Sequence, residues 1–250
     1  MTSDTGRFSA EAEINLRAWQ NKPLLRRIYR HFHEIIAAQL CRDGVGLTVE
    51  LGSGIANIRE VIPDCLCTDV VASPWVDQVE NAYCLSFADN TVKNLIMFDV
   101  FHHLRYPGTA LQEFERVLKP GGRVVIFEPC MSLLGLFVFG LCHPEPLALF
   151  AKIAWHAPAT WSPAQVDYYA AQGNASRIFV GARFAPFLNN WQVRMRKRCA
   201  AFSYVAAGGY KGPQMYPDAW YAWMQRLDRL GDYLPWLCAT RLFVVLEKRA

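Results

Sequence analysis

The segment Glu50-Leu51-Gly52-Ser53-Gly54 is where residue types and spacing first suggest chemistry. Two glycines one residue apart, directly after an apolar run, allow bare backbone to approach a ligand, and a helix starting beyond them would offer free N–H groups. About 20 residues on, at the end of a second apolar run, Asp69 stands where a carboxylate can accept both hydroxyls of a ribose. The pair reads as a site for a nucleoside-containing cofactor. A nicotinamide fingerprint wants a third glycine three residues past the second, and Asn57 occupies that position. The acid that closes the first run, Glu50, suits a ligand carrying positive charge and opposes a pyrophosphate.

Further along, His102 and His103 follow a fourth apolar run. An unperturbed imidazole titrates near pH ~6.5, so either histidine could take a proton from a hydroxyl, phenol or amine. Asp99 and Glu128 end two runs on the same side, and Pro129 forces an extended exit after Glu128. His143, in His143-Pro144-Glu145-Pro146, and Tyr210, after Gly208-Gly209, are candidates for substrate contact.

These residues need elements to position them. Apolar residues recur at helical spacing from Ala12 to Leu40, with Pro23 dividing a short helix from a longer amphipathic one. Strand signals follow at Leu47–Glu50, Leu66–Val70, Val79–Cys84, Asn94–Phe98 and Val124–Phe127. A short helix is expected over Ile55–Val61 and a longer one from Thr109 to Leu118, and Lys119-Pro120-Gly121-Gly122 reads as a turn. Four consecutive apolar residues in the fifth strand fit a parallel strand covered on both faces. The alternation predicts an α/β, doubly wound, mostly parallel sheet. Next comes a long aromatic- and proline-rich stretch that we read as a cap over the sheet's carboxyl edge. Two strand-like segments, Val193–Tyr204 and Arg241–Lys248, flank a helical stretch from Asp218 to Leu230.

Composition excludes several classes. With 52% hydrophobic and 19% charged residues in 250, the chain is not disordered. A formal charge of +4 does not point to nucleic acid. Arg194, Arg196, Lys197 and Arg198 form a basic cluster; on a strand Arg194, Arg196 and Arg198 share one face, which suits a charged edge strand. The apolar run Met131 to Cys142 is shorter than the about 20 residues that cross a bilayer, although it can touch lipid or an apolar substrate. No secretory signal opens the chain, and the eight cysteines show no CxxC pair, so a soluble cytoplasmic protein with free thiols and no metal site is expected.

In these features the sequence resembles the class I S-adenosylmethionine-dependent methyltransferases. Val49-Glu50-Leu51-Gly52-Ser53-Gly54 is similar to their first motif, and Asp69 to their ribose-binding acid. Asn81-Ala82-Tyr83-Cys84-Leu85-Ser86-Phe87-Ala88-Asp89 is similar to a D-A-x-x-L-P-F-x-D segment. Phe98-Asp99-Val100-Phe101-His102-His103-Leu104 resembles the loop after strand four, and Arg116-Val117-Leu118-Lys119-Pro120-Gly121-Gly122 the turn before strand five. The departures are Asn81 for the adenine-facing Asp, Ser86 for the proline, and Val92-Lys93 where Phe-Asp is common. The resemblance implies a Rossmann-like seven-stranded sheet closed by an antiparallel hairpin. It also implies S-adenosyl-L-methionine held by Glu50, Gly52, Ser53, Gly54, Asp69, Asn81, Ala82 and Asp99.

The expected organisation is a tail and helical lid over residues 1–46, a cofactor-binding core over 47–128, a cap over 129–190 and closing strands over 191–250. Trp19, Asn21 and Lys22 lie in the lid. The expected reaction is methyl transfer to an oxygen or nitrogen of a small, partly apolar acceptor, with His102 or His103 as base and Glu128, His143 and Tyr210 on the substrate. The competing readings are a non-catalytic S-adenosylmethionine-binding protein of the same fold and a nicotinamide-dependent oxidoreductase.

Overall fold

The computed structural model describes residues 2–141, 145–164 and 168–249, with side chains from residue 11 onward. Two helices come first: α1 (Thr2–Asn21) and α2 (Pro23–Ala37), with Pro23 opening the second, where its missing N–H costs nothing. The sheet strands are β1 (Leu47–Leu51), β2 (Leu66–Asp69), β3 (Gln78–Val79), β4 (Val92–Phe98), β5 (Leu118–Pro129), β6 (Trp191–Ala200) and β7 (Ala239–Lys248). They lie in the order β3-β2-β1-β4-β5-β7-β6. Strands β1 to β5 run parallel, whereas β7 is antiparallel to both β5 and β6. The α/β, mostly parallel seven-stranded sheet with a closing antiparallel hairpin is therefore as expected.

After β1 the chain steps outward to β2 and β3, then returns to the other side of β1 for β4. The reversal opens a crevice beyond the carboxyl ends of β1 and β4, where ligands of open α/β sheets bind. Leu95, Ile96 and Met97 of β4 and Val124, Val125 and Ile126 of β5 are completely buried, as strands covered on both faces must be. One face packs under α3 (Pro107–Val117) and the short α5 (Asn174–Phe179), through Leu111, Phe114, Ile178 and Phe179. The other packs under α2, through Leu24, Ile28, Phe32 and Ile36, and under Ala201, Ala207, Tyr216 and Tyr221. Those last residues surround α6 (Phe202–Ala206) and open α7 (Tyr221–Gly231).

Several boundaries differ from the sequence expectation. The helix over Ile55–Val61 is a single 3-10 turn, Asn57–Glu60, entered through a left-handed Ala56. The third strand shrinks to two residues, and Asn81 and Cys84 form only an isolated bridge. Lys119–Gly122 is drawn into the start of β5, where the β4–β5 register shifts and Gly121 adopts φ 75°. β6 stops at Ala200, and Phe202–Ala206 is helical. Within β6 the register shifts at Arg194, so Arg194 does not share an unbroken face with Arg196 and Arg198. It pairs with Glu247, and Lys197 pairs with Asp232.

The apolar run forms α4 (Leu133–Leu141), followed late in the chain by α8 (Pro235–Cys238). No described helix is long and apolar enough to cross a membrane. Seven cysteines among the described residues are free thiols.

Candidate functional site

A cavity of about 1700 Å3 lies over the carboxyl ends of β1 and β4. Its floor is the turn after β1. Gly52 (φ 71°) and Gly54 (φ 54°) both take left-handed backbone, which glycine adopts without penalty. A Cβ on Gly52 would stand 2.5 Å from Val100 Cγ2, whereas a Cβ on Gly54 would project into open space. Ser53 spends its side chain on the fold: its hydroxyl donates to the Glu50 carbonyl and accepts from the Thr68 N–H. It lines the cavity through the turn it stabilises rather than by offering a free hydroxyl.

Glu50 is 3% exposed, and its Oε2 has no hydrogen-bond partner among the described residues. Burial, reinforced by the Cys67 sulfur nearby, pushes its carboxyl up to about 8. An unpartnered buried carboxylate oxygen is costly, and a cationic ligand at the cavity floor removes that cost. Asp69 accepts the Gly54 N–H on Oδ2 (3.0 Å) and the Val70 N–H on Oδ1 (2.7 Å), which fixes its carboxylate at the rim of the same cavity. The orphaned acid, the open space over Gly54 and the braced Asp69 together fit the nucleoside cofactor that the resemblance implies.

Other expected cofactor residues have their polar atoms engaged within the protein. Asn81 donates from Nδ2 to the Pro163 carbonyl and accepts the Tyr83 N–H on Oδ1, so it ties the cap to the rim beside Ala82. Asp99, at φ 56°, accepts from the guanidinium of Arg241, which is fully buried beneath the cavity. The sequence departures have partners too. Ser86 donates through both its hydroxyl and its N–H to Glu80, and Lys93 reaches the Gly44 carbonyl. Asn57, where a third glycine would stand, donates to the Tyr210 hydroxyl.

The lid is held from two sides. Lys22 Nζ donates to the carbonyls of Gly209 (2.9 Å) and Gly212 (2.6 Å), and Trp19 packs edge-on against Tyr29. Asn21 only caps its own helix, through Arg17. Tyr210 packs, half-buried, against Tyr29 on the cavity wall.

The opposite wall is polar. His102 Nδ1 lies 2.7 Å from Glu128 Oε2, and its Nε2 lies 3.1 Å from Glu145 Oε2. Burial alone would lower this imidazole, but Glu128 and Glu145 reverse the effect and carry it to about 10. His103 donates from Nδ1 to the Tyr169 carbonyl (2.7 Å) and turns Nε2 toward Glu145 Oε1 at 3.6 Å. Burial, with the charge of His102 beside it, lowers His103. Gln172 and Tyr168 both donate to Glu145.

Glu128 differs from the expectation of substrate contact. It is fully buried and does not line the cavity, because its carboxylate is consumed by the Phe101 N–H (2.6 Å) and His102. It positions His102 instead. His143 lies outside the described residues. Sequence reasoning did not single out Glu145, Gln172 or Arg241. Glu145 was present only inside a proline-flanked motif, and the other two carry no local signal.

Comparison with known proteins agrees with this architecture. A family profile for a methyltransferase domain matches residues 59–126. The demethylmenaquinone methyltransferase of Symbiobacterium thermophilum is 32% identical over 108 residues, which are 42% of this chain and 40% of that protein. The chain thus matches less than half the length of that relative. Among solved structures, a chain from the complex of the Haloferax volcanii Trm112 methyltransferase activator with a methyltransferase superposes with a TM-score of 0.57 at 16% identity, covering 99% of this chain and 98% of that one. A methyltransferase from Thermotoga maritima gives 0.50 at 12% identity, covering 94% and 96%.

Proposed function

We propose that this chain, whose matched core and fold are like those of class I S-adenosylmethionine-dependent methyltransferases, is such an enzyme and transfers the methyl group to an oxygen or nitrogen of a small, partly apolar acceptor. One observation carries the cofactor half of this reading: the unpartnered Glu50 carboxylate oxygen beside the bare Gly52–Gly54 turn. Glu50 would hold the cofactor's ammonium, the turn its backbone-facing atoms, and Asp69 its ribose hydroxyls. When bound, S-adenosylmethionine supplies a methyl carbon already activated by its sulfonium.

The chain's own task is then to position and enclose. The acceptor half of the cavity combines an apolar side, from Phe137, Val138 and Phe139 of α4, with the polar wall of His103 and Glu145. That mixture supports an acceptor with one polar reacting atom and a greasy body. Holding two reactants in line is worth about 7–11 kcal/mol at best. The helical lid, through Lys22, keeps residues 209–212 over the cavity and limits water. Tyr210 and His102 serve this arrangement as wall and support, and Asn81 closes the cap onto the rim. The free thiols suit a reducing cytoplasm.

The test is calorimetric titration with S-adenosylhomocysteine, followed by incubation with labelled S-adenosylmethionine and a fractionated extract. Binding with label transferred to a small molecule is expected. Binding without transfer to any fraction would favour a non-catalytic protein of this fold, and binding of NADH in place of S-adenosylhomocysteine would favour an oxidoreductase.

A further inference from the structure

We propose that His102, His103 and Glu145 form a site for a divalent transition-metal ion of the zinc class, open toward the acceptor side of the cavity. One ligand atom from each lies within 4.8 Å of the others. The cysteine pattern led the sequence reading to expect no metal, and this set contains no cysteine. It joins two adjacent histidines to an acid that lies far from them in the chain.

The orientation of the rings carries the inference. A carbonyl oxygen only accepts, so His103 Nδ1 bears the hydrogen that it shares with Tyr169, and its Nε2 presents a lone pair in the neutral ring. His102 likewise directs Nδ1 to a carboxylate, that of Glu128. Both Nε2 atoms therefore converge on Glu145, at 3.1 Å from Oε2 and 3.6 Å from Oε1. Ligand atoms arranged tetrahedrally around zinc at ~2.0–2.2 Å stand roughly 3.3–3.6 Å apart; His103 meets that spacing and His102 lies slightly inside it, each against a different oxygen of Glu145. Metal-binding histidines characteristically give their other nitrogen to a carboxylate or backbone carbonyl, and here one does each.

Gln172 adds an independent argument. Its Nε2 lies 2.6 Å from Glu145 Oε2 and 3.2 Å from His102 Nε2, while its buried Oε1 has no partner among the described residues. The amide thus braces both prospective ligand atoms, and a metal ion between His102 Nε2 and Glu145 Oε2 would take the place that a ring hydrogen shared with that oxygen otherwise holds. Two imidazoles and a carboxylate suit a borderline ion, and three protein ligands with an open side are the pattern of a catalytic site. His103, Glu145 and Gln172 all line the cavity.

The consequence for chemistry rests on the methyl-transfer reading; the binding does not. An acceptor hydroxyl on the ion would lose its proton to solvent, keep the O–H electron pair, and attack the methyl carbon as an oxyanion while the C–S bond breaks and its electron pair returns to sulfur, leaving S-adenosylhomocysteine.

The experiment titrates the chelator-stripped full chain with Zn2+ by calorimetry and with Co2+ by visible absorption. S-adenosylhomocysteine binding is measured in parallel. We expect one equivalent of metal bound, with a ligand-field band for a low-symmetry Co2+ site. His103→Ala and Glu145→Gln should each weaken binding by more than the about 10–100-fold that a supporting residue is worth, and Glu128→Gln should weaken it within that range. Thermal unfolding checks that each variant is folded, and Gln172→Ala gives a further folded comparison if one fails. No stoichiometric binding, or equal binding by Glu145→Gln, overturns the proposal. If cofactor binding persists in that case, only the metal site falls. If metal binds but S-adenosylhomocysteine does not, only the methyl-transfer reading falls.

Discussion

The carboxylate of Asp99 accepts from Arg241, a guanidinium enclosed by the rings of Phe32, Phe98, Phe127 and Tyr204 at 4.4–5.8 Å from their centroids. The pair joins the loop after β4 to β7 directly beneath the cavity. Removing one partner leaves a buried charge without its counter-ion, which typically costs about 3–5 kcal/mol. Asp99→Ala should therefore lower the unfolding free energy measured in urea by that order, and Asp99→Ala combined with Arg241→Met should recover much of the loss. An Asp99→Ala protein as stable as the parent would show that the pair contributes nothing.

Gly52 tests the floor of the site. Any side chain there meets Val100 and must also hold φ at 71°. Gly52→Ala should abolish detectable S-adenosylhomocysteine binding. Adding Val100→Ala relieves the clash but not the backbone strain of about 1–2 kcal/mol, so roughly a tenth of the affinity should return. Full affinity in the single variant would place the ligand elsewhere.

Glu50 makes binding depend on pH. Its carboxyl sits at about 8 in the folded chain against an ordinary 4.5, so the free protein holds it mostly protonated at pH 6.5. A cationic ligand favours the carboxylate, and binding must expel a proton. Affinity should rise by at most about tenfold per pH unit up to pH 8 and then level. The same raised value means that ionisation favours the unfolded chain. This contribution to stability is therefore present below pH 4.5 and lost as pH climbs through 8. Calorimetry in two buffers of different ionisation heat counts the proton, and Glu50→Gln should release none. Proton uptake, or no exchange, at pH 6.5 in the parent contradicts the assignment.

Lys22→Met keeps the side-chain stem and removes two hydrogen bonds to the 209–212 loop. Hydrogen bonds from a charged group are worth about 1.5–3 kcal/mol, of which a partly exposed pair keeps the lower part. S-adenosylhomocysteine should dissociate about tenfold faster in stopped-flow measurements, with little change in the association rate. An unchanged dissociation rate would mean that the loop does not cover the ligand.

Much of the cavity floor was legible in the sequence, because it is local: Gly52, Gly54 and Asp69 stand at the ends of strands whose apolar runs announce them. The mostly parallel, doubly wound sheet followed from the same alternation, and its closing antiparallel hairpin from the family resemblance. The acceptor half was not, since it is assembled from His102, Glu145 and Gln172, which only the docked cap brings together. Glu128 looked like a ligand contact because it ends a strand at the right edge. Burial and the neighbouring Phe101 N–H made it a support, which no local pattern reveals. The short helix expected after Gly54 is reduced to a single 3-10 turn, entered through the left-handed Ala56. The face expected to be shared by Arg194, Arg196 and Arg198 failed through one bulged residue.

β7 lies between β5 and β6 although it follows both in chain order. Until residues 239–248 have been made, β6 has no neighbour to join and the crevice lacks Arg241 beneath it. Assembly of this half must wait for them, through pairings distant in sequence that form slowly. Deleting β7 alone would take two strands from the sheet rather than one.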